Sequence, residues 1–426
     1  MLGSLAQNII GLIDVSFMGR VGEAQLGATG LAGIYYFIMV LIGFGFNSGM
    51  QIIIARRIGE GKEGEAGYVF DHEFYLILVV AFLQFLLMHF FSYGILRWMI
   101  HSDNVYKYAI QFNYWRSYGI FFALLNSLFQ SFFVAIGKTK VLNFSTPLLM
   151  LVNIALDYGL IFGHWGLPQL GISGAAIAST TAELSVTIFY FIFVYQSGEV
   201  KKYNLFKFPK VSFEELFKQL NLSGPLVFQY LISISTWFGF FIVIEHLGEL
   251  PLAASNIMKN IYTFCGIPCW ALGATTNSMV SNLIGQGKQD DVFKLLRKII
   301  SLSFSVILIL CLLLYLFPSA IVSVFTSNPD IVAQTILIIP TVIVALLFMS
   351  FSFISIFAVT GTGSTRYGLI AEITAIVIYI VYTYLAAFYF HLSLRYIWCS
   401  EVLYWAVAFI MCGLFLRSGK WKKVVV

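Results

Sequence analysis

"GEAQLGATGLAGIYYF" (residues 22–37) returns later in the chain as "GELPLAASNIMKNIYTF" (248–264), and "IGEGKEGEA" (58–66) returns as "IGQGKQDDV" (284–292). Both matches hold at one offset of 226 residues, which takes Gly22 to Gly248, Leu26 to Leu252, Ala28 to Ala254, Gly59 to Gly285 and Lys62 to Lys288. Further on, Gly137 and Thr139 match Gly363 and Thr365 at the same offset. A repeat of this length, carried through stretches of different hydropathy, predicts two copies of one folding unit rather than one unit with a decorative motif.

What the unit is made of follows from composition. Of 426 residues 59% are hydrophobic and 11% charged, with 42 Phe and 23 Tyr, and the mean hydropathy is +0.87. A water-soluble domain carries about 25% charged residues and could not cover so much apolar surface. Long apolar runs of roughly 20 residues, rather than alternating segments of about ten, point to membrane-spanning helices and away from a β-barrel. Twelve spans are expected, at about 2–18, 31–55, 74–97, 110–136, 141–162, 170–196, 222–245, 254–284, 295–317, 331–360, 366–390 and 396–416. The fold class is therefore an all-α membrane protein of twelve transmembrane helices in two repeated six-helix bundles. The expected divisions are an N-terminal lobe (1–196), a cytoplasmic linker (197–221), a C-terminal lobe (222–416) and a basic cytoplasmic tail (417–426). Because six is even, both bundles enter the membrane from the same side, which suits a twofold relation about the membrane normal and two lobes rocking around a central cavity.

Positive charge sets the orientation. With a cytoplasmic N-terminus, the inner side receives 19 of the 25 Lys and Arg, leaving Arg20, Arg97, Lys107, Arg116, Lys259 and Arg395 outside or within the bilayer. The net charge of +5 is thus a matter of topology and no sign of a nucleic-acid partner. The first segment, "MLGSLAQNIIGLIDVSFMGR" (1–20), is at the lower limit of a span and has no basic residue ahead of its apolar part; this argues against a cleaved signal peptide and for a missing upstream stretch. The linker concentrates lysines with Phe206, Phe208, Phe213 and Phe217 and reads as an interfacial segment against lipid headgroups. The five cysteines read as packing residues, and His72, His101, His164 and His391 as solvated groups in loops or at interfaces.

Carboxylates inside apolar helices carry the functional reading, since a buried acid must be paired, bind a cation or hold a proton. Asp157 lies in "NIALDYGL" (153–160), one turn after Asn153 on the same face. Spans one and five both run outward, and Asp14 and Asp157 each lie four or five residues from the outer end, so they share a depth. Two carboxylates and a neutral amide oxygen form a site that accepts a sodium ion or shares a proton. Thr180 and Ser179 could add a hydroxyl from span six, and Glu183 follows one turn after. Tyr36, Gln229, Trp237, Asn256, Lys259 and Asn277 are candidate linings of a substrate path, Lys259 either facing a cavity or snorkelling outward. Glu372 is a candidate partner of Arg366, and "GPLVFQYLISISTWFGFF" (224–241) offers no acid in span seven, which moves the weight of the coupling site to the N-terminal lobe.

With "DVSFMGRVGEAQLGATGLA" (14–32), "IGEGK" and its repeat "IGQGK", and "NIALDYG" (153–159) followed by "LGISGAAIASTTAE" (170–183), the chain resembles the multidrug and toxic compound extrusion (MATE) family over almost its whole length. The resemblance implies a cation-coupled antiporter, driven by sodium ions or protons, that exports organic cations or amphipathic compounds. It also implies that Asp14, Asn153 and Asp157, with Thr180 as the hydroxyl, form the cation or proton site, a Na+ site if sodium is used. No catalytic residue and no cofactor beyond the coupling ion are expected, nor any nucleic-acid partner; the partners are membrane lipids and small molecules, with the chain working as a monomer in a bacterial inner membrane, both termini cytoplasmic. A related lipid or lipid-linked oligosaccharide flippase is the alternative, favoured by a more basic cavity. An intramembrane enzyme lacks metal-spaced histidines or a Ser-His arrangement, and no GxxxxGK[ST] stretch occurs.

Overall fold

The computed structural model describes residues 13–14 and 16–424, and these form helices and connecting turns with no strand. A helical stretch over residues 13–14 and 16–21 (α1) is followed by Glu23–Gly59 (α2), Glu63–Leu86 (α3), Asp103–Ala135 (α4), Leu142–Phe162 (α5) and Ile172–Gln196 (α6). Helix α3 continues through a π-helical turn, Leu87–Phe91, into Ser92–Met99. The second set is Phe213–Glu245 (α7), Glu249–Gly285 (α8), Val292–Leu316 (α9), Pro329–Gly361 (α10), Thr365–Tyr384 (α11) and Cys399–Ser418 (α12). Helices are forced here because backbone N–H and C=O groups in hydrocarbon must bond within their own segment.

The offset seen in the sequence is the register of the structural repeat. Adding 226 to the ends of α2 gives both ends of α8, and adding it to the ends of α4 gives both ends of α10. The turns repeat too. Gly61 and Gly287 hold φ +75° and +73°, and Gly137 and Gly363 hold +75° and +92°; an L side chain at these left-handed positions is strained, so glycine ends the same helices in both copies.

Ten of the described helical segments are long and apolar enough to cross a membrane. Helix α8 is not among them despite its 37 residues, because it carries Asn256, Lys259, Asn260 and Asn277 along an otherwise apolar run. The helices outrun the hydropathy: α2 starts at Glu23 rather than 31, and α3 at Glu63 rather than 74. Their first turns hold acidic residues that suit a helix N-terminus in water and that a hydropathy reading passes over. Large side chains such as Phe82, Leu83, Phe90, Leu312 and Leu313 stand exposed on helix surfaces, as lipid-facing residues do.

The chain divides into two compact units, Met1–Ile58 with Lys62–Val227 and Gly59–Gly61 with Phe228–Val426. Within the first, the segment after α6 is clamped to α3. The Phe206 and Phe208 amides donate to the two Asp71 carboxylate oxygens at 2.8 and 2.9 Å, and the Tyr75 hydroxyl donates to the Pro209 carbonyl at 3.2 Å. His72 is fully buried rather than solvated: its Nδ1 donates to the Tyr68 carbonyl (2.8 Å), so its Nε2 is free to accept the Ser212 amide (3.0 Å). The Phe206 ring packs among Phe70, Phe74, Phe191 and Tyr195. The linker is thus held by its backbone, and Lys202 reaches Glu63 at 3.2 Å beside it.

This clamp needs Gly67, where an added Cβ would lie 2.1 Å from the Tyr203 carbonyl oxygen and 2.5 Å from that of Asn204. Gly67→Ala should therefore cost about 1–3 kcal/mol and speed tryptic cleavage at Lys207 and Lys210. Gly94→Ala, with open space around it, should do neither. Equal melting temperature and equal cleavage for Gly67→Ala and the parent would show that the linker is not held in this way.

Candidate functional site

In the first unit four helices bring ionisable groups together. Asp157 on α5 is fully buried and Asn153, one turn earlier, is 2% exposed. The Asp14 carboxyl from α1 lies within hydrogen-bond reach of Asp157. Neither Asp157 oxygen, nor Asp14 Oδ1, nor Asn153 Oδ1 has a hydrogen-bond donor among the described residues. Two ionised carboxylates can only accept, so nothing joins them until a proton or a cation sits between. The pair is thus a set of converging oxygens with unused lone pairs.

Beside it stands a second constellation. Arg116 on α4 makes a two-pronged bond to Glu183 on α6, Nη2 to Oε1 at 2.8 Å and Nη1 to Oε2 at 3.0 Å. The Tyr36 hydroxyl from α2 reaches the same carboxylate at 3.0–3.2 Å, and the Arg116 guanidinium lies 3.7 Å from the centre of the Tyr36 ring. Planar stacking and a forked ion pair are what a guanidinium, and no ammonium, supplies. The Asn126 side chain donates to the Glu183 carbonyl at 2.9 Å and accepts from Thr187 at 2.9 Å, which fixes α4 against α6. Gly119 gives the room: a Cβ there would fall 2.8 Å from Glu183 Oε2 and 3.0 Å from Arg116 Nη1. The charge of Arg116 also acts on both Asp14 and Asp157.

The residues proposed from sequence thus fall into separate groups. Asp14 and Asp157 come together, with Asn153 one turn before Asp157 on α5. Asn153 donates to Ser179 at 3.3 Å, whereas Thr180 bonds the Trp115 carbonyl at 3.3 Å and faces the Arg116–Glu183 side across Gly119. Thr180 also opens onto a shallow cleft lined by Trp115, Tyr118, Ile177 and Thr181. Tyr36 and Glu183 form one contact, with Arg116 as the member the sequence reading left unassigned.

The other candidates belong to the second unit and do not form one lining. Lys259 donates to Asn256 at 3.1 Å and lies 5.0 Å from the Phe241 ring centre. Asn277 donates to Thr360 at 3.0 Å in the α8–α10 packing. Gln229 (3.5 Å), Ser233 and Tyr404 bond Glu372, and Trp237 donates its indole N–H to Glu401 at 2.9 Å. The absence of an acid from residues 224–241 of α7 therefore does not leave this unit without buried carboxylates: α11 and α12 supply Glu372 and Glu401, and α7 supplies Gln229, Ser233 and Trp237 among their donors.

A family model described as MatE matches residues 1–159 and 225–385. A probable multidrug resistance protein NorM from Agrobacterium fabrum is 26% identical over 284 residues, 66% of this chain and 61% of that protein, so the match spans less than two thirds of that relative. Another protein of that description, from Thermotoga maritima, is 23% identical over 427 aligned positions, 99% of this chain and 90% of that protein. Among solved structures, a MOP superfamily transporter from Pyrococcus furiosus, described as having a binding pocket of reversed polarity that suggests a different function, superposes with a TM-score of 0.92 at 21% identity, over 100% of this chain and 94% of that one. An outward-facing multidrug resistance MATE family transporter gives 0.90 at 21% identity, over 99% and 94%. At such identities the structural likeness establishes the fold.

The largely buried Arg116–Glu183 pair makes a stability prediction. Arg116→Gln leaves the Glu183 carboxylate, whose side chain is 15% exposed, without its cation, which costs less than the about 3–5 kcal/mol of a fully buried pair. The double variant Arg116→Gln/Glu183→Gln should recover most of the loss. Thermal unfolding of the purified variants checks this, and a single variant as stable as the double would refute the pairing.

Proposed function

Because the chain belongs to the MatE family, whose model matches residues 1–159 and 225–385, we propose that it is a cation-coupled antiporter that exports small organic cations or amphipathic compounds by alternating access. The observation that carries this reading is the Asp14–Asp157 pair with Asn153, whose buried oxygens lack donors among the described residues. Such a group changes its net charge when it takes up a proton or a sodium ion, and a charge change at a buried site is what couples an ion gradient to a conformational equilibrium. The oxygen-only donor set suits a hard cation such as sodium as well as a shared proton.

In this reading the chain comprises the lobes 1–196 and 222–416, joined by the linker 197–221, with the basic tail 417–426 on the same side of the membrane as the linker. The bias of Lys and Arg toward the loops of that side supports cytoplasmic termini and a plasma-membrane location of the bacterial inner-membrane type. The chain acts as a monomer. Its substrates are small molecules, as the multidrug resistance names of its NorM relatives suggest.

Asp157→Asn keeps the size and most of the hydrogen bonding of the side chain while removing the charge. In proteoliposomes with sodium and pH gradients imposed separately, it should reconstitute normally and lose gradient-driven export. Asp14→Asn should impair coupling as well, and Asn153→Ala should weaken ion affinity about tenfold, the worth of one well-made polar contact. Export by Asp157→Asn at the parent's rate under every gradient would overturn the assignment.

A further inference from the structure

Tyr36 on α2 and Tyr262 on α8 are 226 residues apart and hold the same place in the repeat. Each gives its hydroxyl to a glutamate, Tyr36 to Glu183 on α6 and Tyr262 to the buried Glu401 on α12, both at 3.0 Å. The charge balance differs. The step that takes Tyr36 to Tyr262 takes Arg116 to Val342, which is fully buried, and no Lys, Arg or His among the described residues pairs with Glu401.

In place of a cation, Glu401 has a cage of neutral donors. Trp237 from α7 donates to Oε1 at 2.9 Å, and Tyr379 from α11 reaches the same oxygen at 3.0 Å. Tyr262 reaches Oε2, and its own oxygen accepts the Trp405 indole N–H at 2.6 Å. An indole N–H can only donate, so Trp237 claims one acceptor site of the carboxylate outright, and Trp405 turns the Tyr262 O–H toward Glu401. Tyrosine hydroxyls can reverse. The Ser400 hydroxyl is buried without a well-formed hydrogen bond among the described residues and lies beside the Tyr379 hydroxyl, where it can take that O–H. Glu401 is 3% exposed. The other ionisable groups near the cage are the buried Cys269 by Tyr262, Tyr404 with Glu372 behind it, and Lys259 across the Phe241 ring, which meets Trp237 edge-on at 5.8 Å.

We propose that Glu401 is a proton-binding site of the second lobe, and that loading it weakens the bond that holds Trp237. In the ionised state Trp237, Tyr379 and Tyr262 all donate to the carboxylate. When an aqueous proton bonds to Oε1, the Tyr379 hydroxyl turns its hydrogen to Ser400 Oγ and accepts from Glu401. No covalent bond breaks and the carboxylate charge is cancelled. The Trp237 N–H then keeps only the weaker acceptor of a neutral carboxylic-acid oxygen in place of an ionised one, which loosens α7 from α11 and α12. As a coupling element this rests on the transport reading above, but the protonation itself is a property of the folded chain and is measured without transport.

The test uses the full chain in nanodiscs, titrated with pH while the infrared carboxylic-acid band and tryptophan emission are followed. The parent should show a carboxylic-acid band that grows with acid and is missing in Glu401→Gln. It should also show an emission step at the same midpoint that is missing in Trp237→Phe and in Glu401→Gln. Ser400→Ala, a small change that needs no refolding of the site, removes an acceptor used only in the protonated state, so the midpoint should move to lower pH by about half to one unit. Asp157→Asn should keep the step whether or not it exports, which separates failure of this site from failure of the transport reading. A carboxylic-acid band unchanged in Glu401→Gln, an emission step absent from the parent, or an unmoved midpoint in Ser400→Ala would overturn the proposal.

Discussion

Arg116 is one guanidinium set among three carboxylates, and its choice of Glu183 determines what the other two can do. The forked bond at 2.8 and 3.0 Å, capped by the Tyr36 ring and hydroxyl, gives Arg116 a partner that matches the fork of its two terminal nitrogens. Were Arg116 turned to Asp14 and Asp157 instead, their oxygens would be satisfied from within the protein and closed to any ion. Glu183 thus keeps an internal cation away from the acid pair. The cost of desolvating the Arg116–Glu183 pair is accepted for that arrangement rather than for stability, since buried ion pairs seldom exceed apolar packing in net worth.

The two lobes solve one problem in different ways. The repeat preserves helix ends, glycine turns and the tyrosine at 36 and 262, because these set how the helices pack. It does not preserve the charges. Where the first lobe has Arg116 the second has Val342, and where the first has Asn153 the second has Tyr379, one of the donors to Glu401. One shared scaffold thus carries differently built ionisable centres in its two lobes.

Much of the fold was legible in the sequence because lipid leaves so few options: apolar length marks spans, and a constant offset marks copies. Helix ends were less so, since Glu23 and Glu63 begin helices in polar turns to which hydropathy is blind. Asp14, Asn153 and Asp157 stood out through helical spacing and depth. Arg116 did not, because its partner lies 67 residues away. A signal was present all the same: a charged residue in the middle of "NYWRSYGIFF" (113–122) needs an internal partner, and Glu183, named only as an accessory of the acid site, was an acid in that lobe's spans without a basic partner. Glu401 sits near the start of the last helix, where an acid reads as solvated, and its cage is drawn from α7, α8, α11 and α12, which no local pattern connects. His72 misled in the same way, since the segment that buries it is 140 residues further along.

The most direct measurement is sodium- and proton-driven export by Glu183→Gln compared with Arg116→Gln/Glu183→Gln at equal reconstituted protein. Removing the Glu183 charge alone should free Arg116 to occupy the Asp14–Asp157 pair and abolish coupling. Removing both charges together should restore it, because the acid pair is then open again. Export by Glu183→Gln at the parent's rate, or a double variant as inactive as the single one, would contradict the account.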